Sequence, residues 1–174
     1  MYFVKYVALV LTVTLVAEAT YANASDLSVT HPATPAPTYI DLGPPGDSPG
    51  DVRVFHFEGK TREKKTVVME WIMTTTGIDT ITGANSRVTL GIFSFKNQIE
   101  DQIVIQGVGL YPNDNDTFNP DKSLTRAIIG GTGRYAGASG VVVSTHQVDG
   151  SWSHDFRLRA PSEEKGVKRG REGR

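Results

Sequence analysis

From residue 52 to residue 159, short β-branched and aromatic runs recur at near-regular intervals, each bounded by Gly, Asn, Asp or Ser. They predict strands at 52–58 (VRVFHFE), 66–75 (TVVMEWIMTT), 86–95 (SRVTLGIFSF) and 102–110 (QIVIQGVGL), then at 124–129, 140–148 and 152–159. A short strand over 38–42 precedes the turn-forming stretch GPPGDSPGD. No segment sustains a helical stripe, and evenly spaced short strands without helices predict an all-β sandwich or barrel. In 66–75 one face carries Val67, Met69, Trp71 and Met73, and the other Val68, Glu70, Ile72 and Thr74. Both faces are largely apolar, which predicts a core on one side and a second sheet or subunit on the other.

The glycine-rich stretch AIIGGTGRYAGASGVVVS (127–144) tests two readings. A phosphate cradle needs a strand, a glycine turn and then a helix. Here the glycine spacing misses the dinucleotide fingerprint by one residue, no Lys-Ser/Thr pair follows, and the β-branched Val141-Val142-Val143 run continues as strand. A strand, glycine turn and second strand is the better reading.

The termini change the domain plan. Lys5, the apolar run 7–17 (VALVLTVTLVA) and the small residues Ala22-Asn23-Ala24 predict a cleaved signal peptide over 1–24, and hence a secreted protein. A proline-rich extended arm is expected over 25–38, and six of the nine prolines fall between Ser25 and Asp51. The barrel domain is placed at 39–160, and the charged tail 161–174 is expected to be disordered. With no cysteine in the chain, stability must come from core packing rather than disulfides. A net charge of −1 gives no footing for a nucleic-acid partner, and no membrane association is expected after signal cleavage. Asn115-Asp116-Thr117 is a glycosylation sequon in a polar, turn-rich stretch.

Glu70 interrupts VVMEWIM and needs a reason: it faces a polar cavity, or it pairs at a subunit interface with Arg53, Arg87 or Arg126. His56 shares a strand face with Val52 and Val54, which makes it either a cavity liner or a hydrogen-bonded core histidine. His146 and His154 lie on successive strands and are placed to approach each other, but no third ligand is suggested and no metal site is expected. Ser153-His154-Asp155 cannot form a triad, since neighbours on a strand point to opposite faces.

Three segments, DLGPPGDSPGD (41–51), IVIQGVGLY (103–111) and AIIGGTGRYAGASGVVV (127–143), together resemble the allene oxide cyclase barrel family, which takes in the plant dirigent proteins and related bacterial barrels. The resemblance covers about Tyr39 to Leu158. It implies an eight-stranded antiparallel β-barrel, often trimeric, with an apolar small molecule in its cavity and no cofactor. The cyclases carry Glu-Ile-Asn on the first strand where this chain has Tyr39-Ile40-Asp41, and their cavity cysteine has no counterpart here. The dirigent pattern, with an aspartate on that strand, is closer to Tyr39-Ile40-Asp41-Leu42. What the resemblance implies is a secreted barrel that steers cyclisation, isomerisation or coupling of an apolar molecule without a redox cofactor. Asp41 and Glu70 would be the catalytic acids, and Tyr39, His56, Trp71, Phe93 and Gln106 the substrate-binding set. Asp41 has a plainer alternative as a turn residue before Gly-Pro, and the whole domain one as a non-catalytic binder.

Overall fold

A computed structural model describes residues 27–95, 100–113 and 116–159. The expected signal peptide, the charged tail and the sequon's Asn115 lie outside these residues. Nine strands follow in chain order: β1 (Ser28–His31), β2 (Thr38–Ile40), β3 (Val52–Thr61), β4 (Thr66–Ile78), β5 (Asn85–Phe95), β6 (Gln102–Tyr111), β7 (Lys122–Gly131), β8 (Gly140–His146) and β9 (Trp152–Leu158). Among the described residues the only helical element is one 3-10 turn, Gly133–Tyr135. The expected strands from residue 52 onward are all present, several one to three residues longer than their apolar runs.

All neighbours pair antiparallel, from β3 through to β9 in sequence order. Closure comes from β1, which lies between β9 (Val29 opposite His154) and β3 (Val29 opposite Thr61). β1 and β3–β9 therefore form a closed, eight-stranded antiparallel barrel, and closure removes the exposed edges of an open sheet. The strand expected to be first, β2, lies outside this ring and pairs only with the start of β3, Tyr39 opposite Arg53. The proline-rich arm thus supplies the closing strand ahead of its prolines, because Ser28–His31 precedes Pro32 and is free to pair on both sides.

Strand alternation sorts the interior. Val67, Met69, Trp71 and Met73 of β4 are buried, while Glu70 and Ile72 on the opposite face are exposed. The interior is divided along the barrel axis. One half, built from Val29, Val67, Met69, Phe93, Phe95, Ile103, Val142 and Phe156, is apolar. Its end is covered by the glycine hairpin, whose Tyr135 ring lies 4.8 Å from that of Phe95. Within the hairpin Gly133 has φ +55°, and a Cβ there would meet Asp101 Oδ1 at 2.3 Å and the Glu100 carbonyl at 2.4 Å. The glycine run is needed for close backbone approach at the barrel rim, not for an anion.

Candidate functional site

The other half of the interior is aromatic and charged. A small cavity there is lined by His31, Thr34, Phe55, Phe57, Trp71, Met73, Tyr111, Thr117, Phe118, Arg126, Trp152 and His154. Its volume is about 30 Å³, room for roughly one water molecule. The lining is drawn from β1, β3, β4, β6, β7 and β9, with Thr34, Thr117 and Phe118 supplied by connecting loops. Gly91 of β5 faces Trp71, and a Cβ at that position would lie 3.3 Å from the indole. The missing side chain lets the indole lie across the barrel wall. Phe118 packs edge-on to Trp152, with ring centroids 4.7 Å apart.

Two histidines meet inside. His31 Nε2 is 3.1 Å from His154 Nε2, His154 Nδ1 is 2.8 Å from Ser144 Oγ, and His31 Nδ1 is 2.6 Å from the Pro32 carbonyl. A carbonyl can only accept, so His31 Nδ1 carries a proton and its neutral ring presents Nε2 as acceptor. His154 then donates from Nε2 and accepts from the Ser144 hydroxyl at Nδ1. Burial is the main cause that pushes His31 down to about 4, with His146 adding to it against the opposing Pro32 hydrogen bond. Burial, with the neighbouring His31 and the Arg126 guanidinium adding to it, drives His154 well below the ordinary range as well. Both rings are neutral at pH 7. The expected approach of His146 to His154 is replaced by this pair: His146 donates Nδ1–H to the Phe118 carbonyl at 2.6 Å and stacks on Trp152 at 4.4 Å. No group of three metal-ligating side chains occurs among the described residues.

Three arginines also point inward. Arg53 and Arg87 share the carboxylate of Asp47, which the loop between β2 and β3 lowers onto the barrel end. Asn85 donates to the same carboxylate at 2.6 Å, and Arg53 Nε reaches Asp116 at 2.9 Å. That loop is held by Asp51, which accepts from the Leu42 and Ser48 N–H groups, the Tyr39 hydroxyl and the Ser48 hydroxyl. Burial opposes the charge of Asp51, but these donors outweigh it and hold the carboxyl down at about 2. Arg87 stacks over the Tyr111 ring at 4.6 Å, and the Tyr111 hydroxyl accepts from Arg126 Nη2 at 2.8 Å. Arg126 is 2 % exposed and lies over the Trp71 ring at 5.1 Å.

The residues singled out from sequence separate cleanly in space. Trp71 lines the cavity, and Phe93 lies beside it in the core, 5.8 Å from Trp71 and 5.2 Å from His154. Asp41 is exposed and accepts from the Gly43 N–H at 3.3 Å, the geometry of a turn residue. Glu70 faces outward, and its neighbour is His56, at 3.6 Å, itself 68 % exposed. The arginines considered as partners for Glu70 are all inside, so strand parity separates it from them. The same parity turns His56 away from the cavity, because Arg53, Phe55 and Phe57 are the inward set on β3. Gln106 is exposed on the outer face of β6. Tyr39 anchors the Asp51 loop and stacks under Arg53 at 4.5 Å, outside the cavity lining. His31, Tyr111, Phe118, Arg126 and Trp152 were not found by sequence reasoning. A signal existed for Arg126: it interrupts the inward parity of Leu124 and Ile128.

No family model matches the chain, and no curated protein matches it. Among solved structures the barrel is similar to one described as pyocyanin demethylase, with a TM-score of 0.57 and 18 % sequence identity over 78 % of this chain and 98 % of that one. At that identity the likeness is one of fold, a closed antiparallel β-barrel whose whole length this chain's barrel spans.

Proposed function

We propose that the protein is a small-molecule-binding barrel, exported after removal of residues 1–24, that holds a flat apolar compound in the half of its interior bounded by Trp71, Trp152, Phe55 and Phe118. The observation that carries this reading is the clustering of aromatic rings and convergent polar groups in one half of a closed barrel, the usual composition of a ligand site. A solved barrel of similar fold is described as pyocyanin demethylase, which supports a small-molecule ligand. Admission of a ligand requires the lining side chains to rearrange, since the cavity holds about one water. Binding without turnover is favoured over steered cyclisation or coupling, because Asp41 and Glu70 both lie outside the cavity.

The chain has two tryptophans, and both line the cavity. Titration with the neutral, flat 2-naphthamide is expected to give a dissociation constant of about 0.1 mM by calorimetry, accompanied by a shift in tryptophan emission. The variants Asp41→Asn and Glu70→Gln should bind it unchanged. Absence of heat and of any emission change up to millimolar ligand, with this amide and with 2-naphthoate alike, rules the reading out.

Assembly as a homotrimer belongs to the same proposal. Val54, Ile72, Val108 and Leu110 are exposed on the outer faces of β3, β4 and β6, and apolar surface of this kind favours contact with another copy. Light scattering at tens of micromolar (about the range for a modest interface) should return three times the chain mass; a monomer would refute it.

A further inference from the structure

We propose that the ligand of this cavity carries one anionic group, a carboxylate on a flat apolar body, and that Arg126 is the residue that receives it. The inference rests on the small-molecule reading above and names the chemistry of its ligand. Arg126 is 2 % exposed and lines the cavity, yet only its Nη2 has a partner, the Tyr111 hydroxyl. Its Nε and Nη1 are buried without any hydrogen bond. A guanidinium stays charged in a protein, and a buried charge is normally paired.

The other two inward arginines show what such pairing looks like in this barrel. Arg53 has Asp47 and Asp116, and Arg87 has Asp47 and the Asp116 carbonyl. Among the described residues Arg126 has no carboxylate, and the lining contains no acidic side chain. The lining's remaining titratable groups are Tyr111, His31 and His154, and both imidazoles are neutral and already committed to each other, to Pro32 and to Ser144. The pocket therefore holds one uncompensated positive charge. The N–H groups of Nε and Nη1 have no acceptor, and a carboxylate accepts strongly from such charged donors.

The rest of the pocket sets the body of the ligand. Trp71 and Trp152 offer aromatic faces, with Phe55 and Phe118 beside them. A neutral ligand leaves the arginine's charge uncompensated, and a cation is repelled. A dicarboxylate would place a second charge where no second free cation exists among the lining residues. An aromatic monocarboxylate matches the cavity's charge and its aromatic lining.

Calorimetry of the full chain at pH 7.5 with 2-naphthoate and 2-naphthamide compares two compounds of one shape that differ in charge. The naphthoate should bind at least about tenfold tighter, as expected for a charge-assisted pair in a buried site. Arg126→Met should keep amide binding and lose the preference, whereas Arg87→Met, if folded, should keep it. Should Arg126→Met fail to fold, the Arg126 Nε–H resonance of the native protein must shift with naphthoate and not with naphthamide. Equal or tighter binding of the amide overturns the anion assignment while leaving the small-molecule reading in place. A preference that survives Arg126→Met overturns the role of Arg126, and binding of neither compound overturns both readings.

Discussion

Acidification from pH 7.5 towards pH 4 is expected to remove about 3 kcal/mol of stability through His31 alone. Its folded value, about 4, lies below the unfolded value of 6.5. The unfolded chain therefore takes up a proton that the folded barrel refuses. The stabilisation is complete above pH 6.5 and is lost progressively as pH falls through 6.5 towards 4. His154 is displaced in the same direction, so the two act in one sense. The cause is local: the rings are packed among Trp71, Trp152, Phe57 and Phe93, a proton on His31 would face His146, and one on His154 would face His31 and the Arg126 guanidinium. For a domain of this size the loss corresponds to a fall in Tm of roughly 10 °C. Thermal melts followed by circular dichroism at pH 7.5, 6, 5 and 4.5 would show it. His31→Phe should flatten the profile over that range. A Tm that holds level between pH 7 and pH 4.5 in the native chain would mean the histidine pair is not buried as described.

Replacing Asp47 by Asn is expected to cost about 3–5 kcal/mol, the loss typical of breaking a buried ion pair. The side chain of Asp47 is 8 % exposed, and those of Arg53 and Arg87 are 4 % and 0 %. Asn keeps the shape and one hydrogen-bond acceptor but leaves Arg87 without any carboxylate. Arg53 retains Asp116, which is 47 % exposed and a weaker partner. The double variant Asp47→Asn/Arg87→Met should be less destabilised than the sum of the single variants, because the uncompensated charge is gone. Urea unfolding of the three variants measures this directly. Additive effects would show that Asp47 and Arg87 do not depend on each other. The outward-facing pair His56 and Glu70 provides the contrast: Glu70→Gln should shift stability by no more than about 0.5 kcal/mol.

Much of the architecture is legible in the residue pattern, and the failures share a cause. In 66–75 the alternation identifies Trp71 as inward and Ile72 as outward, and the barrel places both accordingly. In 52–58 the alternation is ambiguous, since Val52, Val54 and His56 make as plausible an inward face as Arg53, Phe55 and Phe57. The second set is inward because Asp47 neutralises Arg53 from a loop that no strand pattern reveals. Arg87 and Arg126 mislead in the same way. Charged residues read as surface, and here an ion pair and an aromatic cage keep them inside. Asp41 and Glu70 attracted attention because a carboxylate among apolar or turn residues suggests chemistry, yet each has a local explanation on the outside.

Strand existence and the face each residue occupies are properties of a period-two chain, so the sequence by itself determined the all-β class, the extent of β3 to β9 to within a few residues, and the role of the glycine turn. Which inward residues meet is a property of closure and register. His31 and His154 are 123 positions apart and touch only because β1 joins β3 to β9. Tyr111 reaches Arg126, and Asp47 reaches Arg87, across gaps that no local pattern encodes. The tertiary structure alone decided the site, because pairing across a closed sheet brings distant residues of matching parity to one level of the barrel.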